Sequence, residues 1–169
     1  MKYWTCFEWN VSALADLNIS TSPVVIRNAK QGDEEVVLKV LLDAFSMDST
    51  WGDINRKIDE SMVKFTAAAF DKSNPTPTCV VAQHGQRIIG ASVLAGSPDA
   101  ANHLLSGPMI LHEYRNRGLG TALLAASLEF LRERGFEKVR GITRDKSTAA
   151  QFIYRKFGGG QVPCSQNPL

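Results

Sequence analysis

Apolar residues recur along the chain with two periods, and each period predicts a different kind of element. Spacings of three and four predict three amphipathic helices, with the stripes Val37, Val40, Leu41, Ala44 and Phe45, then Ile54, Ile58, Met62, Phe65 and Ala69, then Leu119, Ala122, Leu123, Ala126 and Phe130. Runs rich in β-branched and apolar residues predict strands at 24–27, 78–82, 87–95, 104–112 and 138–143. A last helix is expected at about 147–157. This alternation of strands and helices predicts an α/β fold.

The most informative stretch lies where the run 104–112 ends and the third helix begins. Residues 115–121 read Arg-Asn-Arg-Gly-Leu-Gly-Thr, which places Gly118 and Gly120 in the first helical turn. The leading amides of a helix lack intrahelical partners and lie at the positive end of its dipole, so they can bind an anion together. Arg115 and Arg117 add fixed positive charge and paired donors, which suits a ligand with several phosphates. The stretch therefore predicts a site for a nucleotide-containing cofactor.

Two better-known phosphate motifs do not fit these residues. The chain has no Gly-x-x-x-x-Gly-Lys-Ser/Thr, and Gly118-Leu119-Gly120 lacks the third glycine of a dinucleotide fingerprint. The stretch 115–120 does match Arg-x-x-Gly-x-Gly, and it resembles the acyl-CoA-binding motif of the GNAT N-acyltransferase superfamily. That family often reads Val-Pro-Glu-Tyr-Arg-Gly-Arg-Gly-Ile-Gly here, and this chain departs from it at His112 and Asn116. The alternative reading of the turn is a solvated helix start.

A second stretch, in the last predicted helix, is similar to the same family. The family often has Asn-x-x-Ala-x-x-x-Tyr-x-Lys-x-Gly, and residues 147–158 have Ser in place of Asn and otherwise keep the pattern. Helical spacing predicts one face for the cofactor and the other for packing: Ser147, Ala150 and Tyr154 opposite Ala149, Phe152 and Ile153. The shorter Ser147 weakens the expected pantetheine contact. The alternative reading of Tyr154 is a partly buried aromatic residue.

The resemblance implies a GNAT fold, an α/β (α+β) arrangement with a mixed central sheet flanked by helices. It implies a single acetyltransferase domain at 24–169, preceded by an N-terminal extension at 1–23 and closed by a shortened C-terminal strand region. Aromatic residues at 3–9 predict that the extension adds a strand, in its own chain or a partner's, so a homodimer stays an alternative. Another alternative is an aromatic arm packed on the core without ladder hydrogen bonds.

The resemblance also implies the reaction, in which an amine attacks acetyl-CoA directly within a ternary complex. Backbone amides from Arg117 to Thr121 are expected to hold the pyrophosphate, and an amide near Ile110 or Leu111 to polarise the thioester carbonyl. Tyr154 is the expected catalytic residue, a phenol that protonates the leaving thiolate. The residues expected to bind the cosubstrate are Met109, Ile110, Leu111, Arg115, Asn116, Arg117, Gly118, Leu119, Gly120, Thr121, Ser147, Ala150, Tyr154 and Lys156.

The general base and the acceptor amine are less well defined by the sequence. Many relatives have a carboxylate on the strand before the phosphate loop, but residues 107–111 contain none. The candidate bases are Glu113, Asp99, His103, Asp48 and Asp53. Trp51 lies between two aspartates and is either a site for a cationic amine or a packed anchor of its loop.

Composition narrows the remaining classes of function. A chain of 169 residues that is 44% hydrophobic can bury one core, and its net charge of +2 is too small to suggest a nucleic-acid partner. The three cysteines form no disulfide framework, which favours a reducing cytoplasm, and no run approaches membrane-spanning length. The three dispersed histidines predict no metal site. Two alternatives to an acetyltransferase remain: an acyl-CoA-binding or sensor module without catalysis, and an aminoacyl-tRNA-acetylating toxin.

Overall fold

A computed structural model describes residues 3–169. Its helices are α1 (Glu34–Ser46), α2 (Asn55–Ala69) and α3 (Leu119–Glu133). Its strands are β1 (Trp4–Asn10), β2 (Val24–Asn28), β3 (Cys79–His84), β4 (Arg87–Val93), β5 (Met109–Ile110), β6 (Lys138–Arg144) and β7 (Gly160–Val162). This arrangement confirms the predicted α/β class.

The strands form two sheets, where one central sheet was expected. One has the order β2-β3-β4-β5 and the other the order β6-β1-β7, and the strand pairings within residues 3–169 are all antiparallel. Helix α1 packs against β4 and α2, whereas α3 packs against β3. Since β5 is an edge of the first sheet and β6 an edge of the second, a gap is left where the two sheets part.

The aromatic N-terminal segment forms the predicted extra strand within its own chain. β1 pairs along its whole length with β6, from Trp4 opposite Arg144 to Asn10 opposite Lys138, and its other edge pairs with β7. Across β1 and β6, the Glu8 carboxylate accepts a hydrogen bond from Arg140 at 2.9 Å. The segment is therefore the central strand of the second sheet.

The predicted helical stripes agree with the observed core. All five stripe residues of α1 are buried, and on α2 the stripe residues Ile58, Met62 and Ala69 are buried. Helix α3 begins at Leu119 as predicted and ends before Gly135, whose φ of +89° lies in the left-handed region that favours glycine. None of the helices in residues 3–169 has both the length and the apolar character needed to cross a membrane.

Two predictions of secondary structure are wrong, one in the length of a strand and the other in the type of a helix. The strand expected at 104–112 is reduced to Met109–Ile110, because Gly107 adopts a φ of +67° and breaks the extended run. The helix expected at about 147–157 is a single π turn at Ala149–Ile153, in which the Tyr154 amide donates to the Ala149 carbonyl at 2.7 Å. A separate 3₁₀ turn follows at Lys156–Gly158.

The three cysteines have different environments, which predicts different thiol reactivities. Burial raises the pKa of Cys6 to about 11 and that of Cys79 to about 12. It also raises the pKa of Cys164, but the Cys164 side chain is only partly buried and can be reached by a reagent. Because the thiolate is the reactive form, a disulfide reagent at pH 8 should modify only Cys164 in the folded protein. Mass spectrometry after a short exposure checks this result. Labelling of all three thiols without denaturant would contradict the described packing.

Candidate active site

A cavity of about 470 Å³ lies in the gap between the two sheets. Met109 and Ile110 of β5 line it from the first sheet, and Ile142 and Thr143 of β6 line it from the second. Its wall also includes the start of α3, the π turn and parts of α1 and α2. This volume is typical of a site for a small molecule or cofactor.

The first turn of α3 presents unpaired amides to the cavity. Gly118 precedes the helix with a φ of +77°, and no side chain caps the turn. The first bond of the helix runs from the Ala122 amide to the Gly118 carbonyl, so the amides of Leu119, Gly120 and Thr121 have no helical acceptor. All of these three residues line the cavity. The turn can therefore bind an anion that enters the cavity.

Glycine is favoured at the two positions of this turn for different physical reasons. A Cβ on Gly118 would meet nothing within 4 Å, so open space lies over this residue and its left-handed backbone is what favours glycine. A Cβ on Gly120 would approach the Ile153 side chain to 2.8 Å. Gly120 is therefore small because α3 packs closely against the π turn, a reason that the sequence motif did not reveal.

The two arginines of the motif have partners within the protein. Arg115 donates to the carbonyls of Ala44 and Ile110 and to the Asp48 carboxylate, at 3.2 to 3.3 Å. Its guanidinium thus connects the loop before α3 to the end of α1. A contact between Arg115 and a phosphate would have to compete with these hydrogen bonds. Arg117 is exposed, lies over the Tyr114 ring and does not line the cavity.

Lys156 is better placed than either arginine to meet an anion at the start of α3. Its Nζ donates to the Thr121 hydroxyl at 3.1 Å, and both residues line the cavity. It makes no ion pair within residues 3–169. The ammonium group therefore sits beside the unpaired amides with its charge uncompensated.

Only one of the two amides expected to face the thioester is free to do so. The Leu111 amide donates to the Ile89 carbonyl at 2.9 Å, and Leu111 does not line the cavity. Because hydrogen-bonded positions alternate along an antiparallel ladder, the backbone groups of Ile110 point away from β4. The bond from Arg115 to the Ile110 carbonyl agrees with this direction. Ile110 is therefore the candidate amide.

The π turn brings residues of both predicted helical faces to the cavity. Ala150 is buried and does not line the cavity, whereas Ala149, Phe152 and Ile153 do. The cofactor face predicted for Ala150 is thus wrong, because the π turn rotates side chains differently from an α-helix. The Ser147 hydroxyl lies on the cavity wall and accepts from the Ala150 amide at 3.1 Å, so it caps the turn.

Tyr154 lies where both sheets and the cavity meet. Its ring is 1% exposed and packs edge-on against Phe7 at 5.6 Å and Trp9 at 5.2 Å between ring centroids, both on β1. A Cβ on Gly107 would lie 2.8 Å from its hydroxyl, so that glycine leaves the room the phenol needs. Burial raises the Tyr154 pKa above its ordinary value, which keeps the phenol protonated. Tyr154 therefore keeps a protonated phenol at the cavity wall.

Most of the candidate bases lie away from the cavity. Glu113 pairs with Arg87 and Asp53 with Arg144, and Asp99 does not line the cavity. His103 is buried, its Nδ1 accepts from the Arg140 amide at 2.9 Å, and burial lowers its pKa. Asp48 has the one carboxylate side chain that lines the cavity within residues 3–169, and it pairs with Arg115 at 3.3 Å.

Trp51 is a packed anchor, and the two aspartates beside it are already paired. Its ring is 7% exposed and lies 5.3 Å from Phe45 and 6.2 Å from Trp4, between ring centroids. These three residues, which we call the aromatic wall, line one part of the cavity. No sequence pattern indicated Trp4 or Phe45 as site residues, since only the insertion of β1 brings them together.

The structure brings most of the predicted site residues to one cavity. The predicted residues that line it are Met109, Ile110, Arg115, Asn116, Gly118, Leu119, Gly120, Thr121, Ser147, Tyr154 and Lys156. Leu111, Arg117 and Ala150 do not line it. No group of three or more His, Cys, Asp or Glu side chains in residues 3–169 has the proximity of a metal site.

The fold and the cavity together match those expected of an N-acyltransferase. A family model described as "Acetyltransferase (GNAT) family" matches residues 40–159, more than half of the chain, so this chain belongs to the GNAT acetyltransferase family. No curated protein sequence matches it.

Solved structures show the same fold at low sequence identity. A GCN5-related N-acetyltransferase from Sphaerobacter thermophilus has a TM-score of 0.62 at 16% identity, over 94% of this chain and 48% of that chain. A functionally unknown conserved protein from Staphylococcus epidermidis has a TM-score of 0.61 at 15% identity, over 94% and 57%. A GNAT-family acetyltransferase from Colwellia psychrerythraea has a TM-score of 0.60 at 12% identity, over 94% and 52%. This chain thus spans about half the length of these structures.

Proposed function

We propose that this protein transfers the acetyl group of acetyl-CoA to a primary amine, in the cytoplasm, by direct attack in a ternary complex. The observation that carries the proposal is the uncapped first turn of α3, which faces the same cavity as Tyr154. The uncapped turn suits phosphate binding, and the Tyr154 phenol suits proton donation. Acetyl-CoA needs both, because it contains a pyrophosphate and a thioester.

In this proposal the amides of Leu119, Gly120 and Thr121 bind the pyrophosphate oxygens. Lys156 adds a positive charge beside them, through the position fixed by its bond to the Thr121 hydroxyl. Gly118 leaves the approach open, because nothing lies within 4 Å of the place where its Cβ would be. The residues present therefore fit the phosphate end of acetyl-CoA.

The chemical step uses the backbone of β5 and the phenol of Tyr154. The Ile110 amide donates to the thioester carbonyl oxygen as negative charge develops on it. The amine nitrogen forms a bond to the carbonyl carbon, the carbon–sulfur bond breaks, and sulfur leaves with the electron pair. Tyr154 gives its proton to that sulfur, and the proton that the nitrogen loses restores the phenol.

Calorimetric titration of acetyl-CoA into two matched glycine variants tests the phosphate end. Gly118 and Gly85 both have a positive φ, +77° and +61°, and both lie under open space, but only Gly118 lines the cavity. We expect Gly118→Trp to weaken binding by about tenfold or more, equivalent to about 1.4 kcal/mol, and Gly85→Trp to leave it unchanged. Failure of folded wild-type protein to bind acetyl-CoA would refute the proposed function.

A further inference from the structure

The cavity has a phosphate end, at the first turn of α3, and a second end with a different lining. In the proposed acetyl transfer, this second end is left for the acceptor amine. The aromatic wall contributes three rings to it, and α2 contributes Ile58 and Met62, which are four residues apart and both buried. Residues on successive turns of a helix share a face, so their side chains form one apolar surface. The acceptor end is therefore apolar on two sides.

Two arginines fix the position of the loop that carries Trp51. Residues 48–54, which we call the strap, join α1 to α2 and carry Trp51 between two pinned points. At one point Asp48 pairs with Arg115 from the phosphate loop, at 3.3 Å. At the other, Arg144 of β6 donates to the Thr50 carbonyl at 2.9 Å and to Asp53. Trp51 thus keeps its place against the cavity without needing a bound molecule.

The balance of charge excludes acceptors with several positive groups. Asp48 has the one carboxylate side chain lining the cavity within residues 3–169, this side chain is 12% exposed, and Arg115 already compensates its charge. Asp48 also accepts from the Thr50 amide at 3.0 Å. A second ammonium group would find no unpaired carboxylate side chain at this end, and burying an unpaired charge is costly.

We infer that the acceptor is a monoamine on an apolar, aromatic body, seated against the aromatic wall. This inference rests on the proposed acetyl transfer. An apolar site disfavours the ammonium form, so such an amine binds in its neutral form after giving its proton to bulk water. The neutral nitrogen is the nucleophile, which accounts for a cavity whose described lining offers no unpaired carboxylate side chain to remove a proton.

A panel of amines tests the inference with the wild-type protein. The panel contains 2-phenylethylamine, 2-cyclohexylethylamine, spermidine and a lysine-containing peptide, each with acetyl-CoA, and mass spectrometry measures the acetylated product. We expect kcat/KM for 2-phenylethylamine to exceed that for spermidine and for the peptide by about tenfold or more, a factor that corresponds to about 1.4 kcal/mol. The cyclohexyl compound is expected to lie between them, since it is apolar but lacks an aromatic face.

A pair of variants tests the part played by the aromatic wall. Trp51→Ala should raise KM for 2-phenylethylamine by about tenfold, and Trp51→Phe should recover much of that loss because it keeps an aromatic ring. The calorimetric Kd for acetyl-CoA should not change in either variant, because Trp51 lies on the strap and not on the first turn of α3. If Trp51→Ala does not fold, the KM of Trp51→Phe and the wild-type amine panel still test the inference.

The outcomes separate this inference from the proposed function. Equal or faster acetylation of spermidine or the peptide would overturn the aromatic monoamine and keep the acetyltransferase. Acetyl-CoA binding without acetylation of either ring-bearing amine would also overturn it. Absence of acetyl-CoA binding would refute the proposed function, and the inference with it.

Discussion

We expect Tyr154→Phe to lower kcat by about 10²- to 10⁴-fold, the range typical of a lost general acid. The substitution removes only the hydroxyl, which makes no hydrogen bond within residues 3–169, so the ring can keep its packing against Phe7 and Trp9. Calorimetry should give the same Kd for acetyl-CoA as in the wild type, because the phosphate end is untouched. The variant therefore separates proton donation from cofactor binding.

Tyr3→Phe is the matched control, since Tyr3 does not line the cavity and the same hydroxyl is lost. Unchanged kcat in Tyr154→Phe would show that Tyr154 only packs. A protein that merely binds acyl-CoA would give no product with either residue at position 154, so turnover by the wild type also excludes the sensor alternative.

The direction of the Tyr154 pKa predicts the alkaline side of the pH profile. A free tyrosine loses its proton near pH 10, and burial moves the Tyr154 pKa further up. The acid form is thus retained as pH rises, and kcat should not fall between pH 7 and about pH 10 because of this group. A decline of kcat with an apparent pKa of about 8 would assign the proton donor to another residue.

The second large effect is expected from Trp9→Ala, which should lower the free energy of unfolding by about 3–5 kcal/mol. Trp9 is fully buried, and its Nε1 donates to the Lys156 carbonyl at 2.9 Å, so truncation leaves both a cavity and an unpaired acceptor. Its indole also supports the ring of Tyr154. Urea unfolding measures the stability, and kcat should fall in the same variant at temperatures where it remains folded.

Phe152→Ala provides the comparison for stability. It removes a ring of similar size that is 66% exposed, and a surface substitution of this kind changes stability by about 0.5 kcal/mol or less. A loss in Trp9→Ala no larger than the small loss expected for Phe152→Ala would mean that β1 contributes little to the fold, contrary to its place in the second sheet.

The features of the site that the sequence could predict are those set by local chemistry. The glycine and arginine turn predicts the start of α3 because helix initiation depends on a few neighbouring residues. The family resemblance of the two motifs predicts that Thr121 and Lys156 belong to one site, although the bond between them joins residues 35 apart. Those predictions needed only the two motifs and the resemblance they carry.

The rest depended on contacts between distant parts of the chain. Arg115 was expected at phosphate, but its direction is set by acceptors on α1, which no local pattern reveals. Helical spacing assigned Ala150 to the cavity, whereas the actual turn has a different period because Ser147 caps it from within the core. The aromatic wall could not be predicted either, since its rings come from β1, α1 and the strap.

The place of β1 has a consequence for how this protein folds. Its contacts join residues about 140 positions apart, as between Thr5 and Asp145 or Trp9 and Lys156. Such pairings have a high entropic cost of loop closure and form slowly. On a ribosome, β1 would wait, with its aromatic side chains unburied, until the segments that form β6 and β7 had emerged. The second sheet therefore assembles late, and Phe7 and Trp9 are the residues most in need of protection in the nascent chain.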